Sequence, residues 1–264
     1  MKSYTLLIEP LTSVNPQWAS PARNFNIGTN SVHVWLGRFD SDLLADREFG
    51  GGLSDPEKQK AQSFVRQYDR DRYVFTHGML RQILARYVGC EPGEIVFETN
   101  YYGKPFLALP GQTIDIQFNL SHSHDVILIA VARGAAVGVD VEQIRNIQDA
   151  GGIIESSFSS IERQYLGSLS HSELTEAFFI CWTLKEAFAK GLGLGLSYSF
   201  DKFSVISPCL RIETTVYPYL GSGRSCGWKI FRLSPEAGYA GALAVKVKTG
   251  ETKFYEYRHN ILTW

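Results

Sequence analysis

Apolar residues recur along this chain with two periods, and the switches between them set out an order of elements. Residues 1–30, with Pro10, Pro16, Pro21 and several Asn, predict an irregular arm packed on the surface, leading to a strand at "VHVWLGRF", residues 32–39. Ser54 is a candidate helix N-cap. Val74, Met79, Leu80, Ile83, Leu84 and Tyr87 recur at helical spacing as far as Gly89, so one or two helices are expected over residues 54–89. "EIVFETN" and the turn "YYGKPF" come next. In "IDIQFNLSHSHDVILIAVARG" a polar turn, placed at Ser121 to His124, separates two β-rich runs as in a hairpin.

A second helix is expected at "LTEAFFICWTLKEAFAKGLG", stopping at Gly191 and Gly193. After it "FDKFSVI", "LRIETTVYPYL", "GWKIFRLSP", "YAGALAVKVK" and "KFYEYRH" alternate like strands. The order of long helix, strands and "NLSHSHDVILIAVAR" is echoed by long helix, strands and "RLSPEAGYAGALAVKVK". The echo predicts two similar α+β halves, residues 31–134 and 135–264, whose polar residues meet at a shared cleft.

Composition adds exclusions. With 264 residues, 44% hydrophobic and 20% charged, the chain reads as an ordinary folded protein. Its 26 basic and 27 acidic side chains leave a net charge of −1, so no global field favours nucleic acid or an anionic membrane, and any anion site has to be local. No run approaches the roughly 20 apolar residues of a membrane span. The opening "MKSYTLLIEPLTS" has too short an apolar run for a signal peptide's core. Cys90, Cys181, Cys209 and Cys226 show no CxxC spacing, which points to reduced thiols in a cytoplasm.

One stretch breaks the pattern. In "GAAVGVDVEQIRNI", Asp140 and Glu142 share one side of a predicted strand while Val139 and Val141 take the other, and Gly138 leaves room on the carboxylate side. Two ionised carboxylates so close require a counter-charge, whether Lys, Arg or a hard divalent cation such as Mg²⁺. A strand end exposed to water is the plainer alternative. Farther on, Trp182, Glu186 and Lys190 stack at i, i+4, i+8 with Lys185 beside Glu186, opposite the apolar row Ile180, Leu184 and Phe188. Glu186 is either a salt-bridged surface residue or a third carboxylate facing the first two. Lys58, Lys60, Arg66, Arg70 and Arg72 form a basic stretch, either a solvated face or a phosphate-binding rim.

Taken together, "GKP", "FNLSHS", "VGVDVE", "FSSIE" and "WTLKEAFAKGLGLGL" resemble the phosphopantetheinyl transferases of the larger monomeric type that activates surfactin synthetase and related carrier-protein systems. The resemblance covers roughly residues 53–205. It implies an α+β fold of two similar halves related by a pseudo-twofold axis, each a small antiparallel sheet on a long helix, with coenzyme A between them. By matching position it implies a Mg²⁺ site at Asp140, Glu142 and Glu186, with Glu162 where the family has another acidic residue near the metal; Mn²⁺ is the other ion considered. It further implies pyrophosphate contacts from Lys185 and Lys190, and a ribose-phosphate site at His122, Arg72, Lys58 and Lys60. Lys104, Pro105 and Ser121 match further cofactor-contacting positions.

The chemistry so implied is transfer of phosphopantetheine from coenzyme A to a serine of an apo acyl or peptidyl carrier protein, releasing adenosine bisphosphate. Glu186 is the candidate base, Lys190 the stabiliser of charge on the leaving phosphate, and Asp140 a metal anchor. Two other readings stay open: a carrier-binding scaffold without activity, and a Mg²⁺-dependent phosphohydrolase acting on coenzyme A.

Overall fold

The computed structural model describes residues 16–21, 26–40, 51–108, 115–194, 199–206, 215–216, 219–220, 227–246 and 252–257. Most of the predicted N-terminal arm and the cysteines Cys209 and Cys226 lie outside these residues. Of the arm, Ala19 bridges to Tyr255 in parallel, and Trp18 packs edge-on against Phe254 with ring centroids 5.5 Å apart.

The helical stretch forms two helices. In α1 (Asp55–Gln62), Ser54 acts as the predicted N-cap, its backbone N–H and hydroxyl donating to Glu57 at 2.8 and 2.7 Å. The longer α2 (Gln67–Val88) ends at Gly89 with φ 79°, the left-handed residue that glycine adopts without steric cost. A two-stranded hairpin comes next, β2 (Phe97–Thr99) and β3 (Pro105–Leu107), turning through "YYGK".

Strand β1 (Val32–Arg38) joins β4 (Ile116–Ser123), β5 (Val126–Arg133) and β12 (Thr252–Glu256) in a sheet ordered β12-β1-β5-β4. The second sheet has the order β6-β11-β10-β8, from β6 (Val137–Gln143), β8 (Thr215–Val216), β10 (Trp228–Leu233) and β11 (Tyr239–Lys246). Two short strands, β7 (Phe203–Ser204) and β9 (Tyr219–Leu220), pair separately. Before the second long helix lie α3 (Ala150–Ser157) and α4 (Ser160–Gly167). That helix, α5 (His171–Leu192), keeps Gly191 inside its last turn and stops at Gly193, φ 69°.

The α+β class is as expected, and each sheet carries a 22-residue helix. Phe75, Met79, Ile83 and Leu84 of α2 pack on Ile127, Ile129 and Val131 of β5. Ile180, Leu184 and Phe188 of α5, the predicted apolar row, pack on Ile230, Ala242 and Ala244. The other faces meet in a third core, where Val34, Leu36, Leu128 and Ala130 touch Val137, Val139, Val141 and Leu243. Each fully buried aliphatic side chain there contributes about 1.5–3 kcal/mol.

Three expectations need correction. The first sheet is mixed, because β12 runs parallel to β1. No hairpin joins them, so nothing forces the antiparallel sense. The same strand crosses the division expected at residue 135: it comes after the second half in sequence yet completes the first sheet. "FDKFSVI" is also mostly not a strand, since Phe200–Lys202 form a 3₁₀ turn.

Candidate active site at the seam between the sheets

Strands β4 and β6 belong to different sheets, and side chains join them. The Asn119 side-chain oxygen accepts the Val139 amide at 2.8 Å, Ser121 Oγ donates to Asp140 Oδ1 at 2.8 Å, and Ser123 Oγ donates to Glu142 Oε2 at 2.8 Å. These three polar residues alternate along β4 and place it beside the carboxylate side of β6. The predicted turn at Ser121 to His124 is therefore corrected: Ser121, His122 and Ser123 are strand residues, and the turn is His124–Asp125. The hairpin continues through Ser121–Leu128, His122–Ile127 and Ser123–Val126, three pairs beyond where the sequence suggested it would end.

Along β6, Val137, Val139 and Val141 enter the core between the sheets, so Gly138, Asp140 and Glu142 face α5. Gly138 is needed there, because a Cβ at this position would lie 2.0 Å from Ala187 O and 2.3 Å from Gly191 N. The close crossing brings Lys190 Nζ to 2.6 Å from Asp140 Oδ1 and 3.0 Å from Ser121 Oγ. Asp140 is 2% exposed, and its Oδ2 has no hydrogen-bond partner.

Burial disfavours the charged forms of all three carboxyls, Asp140, Glu142 and Glu186. Burial pushes the Asp140 carboxyl up, with Lys190 and Ser121 opposing. Burial also raises Glu142 and Glu186, and in both the neighbouring Asp140 charge adds to the shift. Glu186 lines a cavity of ≈ 260 Å³ together with Lys190, Lys104, Pro105, Tyr102 and Leu120. Among the described residues no three His, Cys, Asp or Glu converge closely enough to clasp an ion as they stand. The residues nonetheless fit one: an orphaned, buried Asp140 oxygen and two flanking carboxylates make an all-oxygen, open donor set suited to a hard divalent cation.

The chain matches known proteins on both sides of this seam. Residues 50–134 match the family described as "4'-phosphopantetheinyl transferase, N-terminal", and residues 136–244 match "4'-phosphopantetheinyl transferase superfamily". The 4'-phosphopantetheinyl transferase HetI of Nostoc sp. is 28% identical over 240 residues, 91% of this chain and 98% of that protein. The 4'-phosphopantetheinyl transferase Sfp of Bacillus subtilis (strain 168) is 30% identical over 161 residues, 61% of this chain and 69% of that protein. This chain belongs to the 4'-phosphopantetheinyl transferase superfamily. The transferase gsp of Aneurinibacillus migulanus is 33% identical over 167 residues, 62% of this chain and 66% of that protein.

In this transferase the remaining residues singled out by sequence fall into three places. Lys104 and Pro105 line the cavity, but Lys104 Nζ donates to the carbonyls of Val137 at 2.9 Å and Gly191 at 3.1 Å. Near the seam, His122 follows Ser121 on β4 and is exposed overall. Lost hydration, then the charges of Arg72, Lys190 and His77, push its pKa down to about 4. Arg72 reaches the His124 carbonyl at 3.5 Å and pairs with Asp69 at 3.2 Å. The expected companions Lys58 and Lys60 are engaged locally, Lys58 with Asp55 at 3.6 Å and Lys60 over the Phe64 ring at 5.5 Å.

Lys185 and Glu162 are the clear departure. Lys185 Nζ lies 2.6 Å from Glu162 Oε2, and both side chains are fully buried. Lys185 also donates to Phe203 O at 2.8 Å, while Glu162 accepts the amides of Ser159 and Val205, each at 2.8 Å. Both groups are shut inside the core and paired with each other, away from the seam where Asp140 meets Lys190, so both expectations are corrected. The reason is helical geometry: one position from Glu186 is about 100° of rotation, which turns Lys185 into the core on the α4 side.

Sequence reasoning missed Asn119 and Ser123, which hold β6 in place. Their signal was present in the alternation Asn119, Ser121, Ser123, which reading the segment as a turn concealed.

Proposed function

We propose that this transferase moves the phosphopantetheine group of coenzyme A onto a serine hydroxyl of an apo acyl or peptidyl carrier protein. The serine oxygen–phosphorus bond forms, the pyrophosphate phosphorus–oxygen bond breaks, and adenosine bisphosphate leaves. The reading is carried by one observation: Asp140, orphaned at Oδ2, meets Lys190 and Ser121 where two sheets and a helix converge.

Asp140, Glu142 and Glu186 are the residues that would hold Mg²⁺, with Mn²⁺ as the other candidate. Bound there, the ion would supply charge neutralisation for the pyrophosphate. Glu186 alone of the three carboxylates lines the cavity, and its raised pKa favours accepting the serine proton. Lys190 stabilises negative charge on the leaving phosphate. His122 and Arg72 hold the ribose phosphate; that anion would recharge the imidazole.

No described helix is long and apolar enough to cross a membrane. The proposed setting is a monomer in the cytoplasm, with coenzyme A and carrier proteins as partners and neither nucleic acid nor membrane involved.

The test is to incubate the protein with a panel of apo carriers, coenzyme A and Mg²⁺ and weigh the carriers. The phosphopantetheine mass increase is expected on at least one. Binding without that increase would favour a scaffold, and phosphopantetheine released with no carrier present would favour a phosphohydrolase.

A further inference from the structure

The last turn of a helix leaves carbonyl oxygens without intrahelical partners and carries partial negative charge. In α5 the C-terminal Gly193 amide returns to Ala189 O at 3.1 Å, which satisfies one of them. Two more are satisfied from the β2–β3 hairpin, 87 and 93 residues away in sequence. Lys104 Nζ donates to Gly191 O, and Asn100 Nδ2 donates to Gly193 O at 2.9 Å.

The hairpin is rigidly prepared for this. Asn100 Oδ1 accepts the amides of Tyr102 and Lys104, both at 2.9 Å, and Asn100 N donates to Lys104 O at 2.9 Å. The same Lys104 ammonium also donates to Val137 O, at the first residue of β6. It thus spans the crossing at which Gly138 passes α5. Lys190, adjacent to Gly191, and Asp140, three residues after Val137, meet on the other side of that crossing. Among the described residues no carboxylate pairs with Lys104, and burial lowers its pKa to about 8, so helix-end carbonyls are its main compensation.

We propose that Lys104 is a positioning residue, a cationic clamp that, with Asn100, locks the end of α5 onto the start of β6 and so sets the Lys190–Asp140 contact. This departs from the direct cofactor contact that family resemblance implies. The kinetic part rests on the proposed function, whereas the clamp itself does not.

The experiment compares wild type, Lys104→Ala and Asn100→Ala by amide hydrogen exchange and by carrier loading. Exchange over residues 187–193 and 137–141 is expected to rise at least fivefold in both variants and to stay unchanged over β5. Unchanged exchange at the crossing overturns the clamp, whether or not the wild type loads any carrier. In loading, kcat is expected to fall about tenfold in each variant, the size of a lost charge contact at a helix end. KM for coenzyme A stays within twofold, and ethylammonium restores part of the rate in Lys104→Ala but not in Asn100→Ala. A raised KM with unchanged kcat in Lys104→Ala alone would assign the ammonium to the cofactor and overturn the proposal. Absence of wild-type loading would count against the proposed function, and exchange would still decide the clamp.

Discussion

Gly138 and Ala187 pass with backbone against backbone: any Cβ at Gly138 would fall 2.0 Å from the Ala187 carbonyl oxygen. The obstruction is main chain on both sides, so a rotamer change cannot relieve it. Strand β6 and helix α5 would have to separate, and Lys190 would leave Asp140 with them.

Gly138→Ala is therefore expected to act twice. Overpacking costs about 1–3 kcal/mol, visible in urea denaturation. Carrier loading should fall much further than stability alone explains, because the charged groups no longer meet. A variant that loads carrier at the wild-type rate would show that the close crossing is not needed for the site.

Asp140→Asn separates the metal reading from a purely structural one. The raised pKa values of Asp140, Glu142 and Glu186 mean that their charged forms are disfavoured together in the fold. Removing one charge relieves the other two, so the melting temperature without metal should not fall. Mg²⁺ should stabilise the wild type by about 2.7 kcal/mol at a hundredfold excess over Kd, and leave the variant unaffected. Loading should be abolished. Equal stabilisation of both proteins by Mg²⁺ would place the ion elsewhere.

The Lys185–Glu162 pair predicts the opposite profile. Lys185→Met strands a carboxylate with no exposure, a loss of about 3–5 kcal/mol. Lys185→Met combined with Glu162→Gln should recover part of it: the buried charge is gone, but Ser159 and Val205 donate to different oxygens of Glu162, so the single amide oxygen keeps one of the two. KM for coenzyme A should not change in either protein. If Lys185→Met instead kept its stability and raised KM, the ammonium would belong to the cleft.

The same residue illustrates what the sequence could and could not reveal. Period-two and period-3.6 patterns exposed both long helices, the β4–β5 hairpin and the carboxylate side of β6, because each buries one regular face. Spacing placed Glu186 and Lys190 correctly on the side of α5 toward Asp140. Lys185 was legible only as a charge near other charges. Its burial depends on Glu162 and the Phe203 carbonyl, 23 and 18 residues distant, which no local period encodes. Likewise β12 pairs with β1 across more than 200 residues, a choice set by the open sheet edge and not by neighbouring sequence.

His122 links the site to pH. Its folded pKa, about 4 against an ordinary 6.5, means the unfolded chain takes up a proton between those values while the folded chain does not. Its contribution to stability is therefore present above pH 6.5 and is lost as pH falls toward 4. The three raised carboxyls have the reverse sign, so the wild type must be compared with His122→Asn. The difference in denaturation midpoint should shrink progressively over that window.

Ligand binding should reverse the shift. A phosphate beside the imidazole favours its charged form against the basic groups that oppose it, Arg72, Lys190 and His77. At pH 5.5, coenzyme A should then bind with net uptake of a proton at His122, seen as a dependence of the calorimetric enthalpy on buffer ionisation. Dephospho-coenzyme A, lacking the ribose phosphate, should show less uptake, and His122→Asn should weaken coenzyme A more than its dephospho form. Equal uptake for both ligands, or equal weakening, would remove His122 from the ribose phosphate and leave Arg72 as the only one of the expected groups still near it.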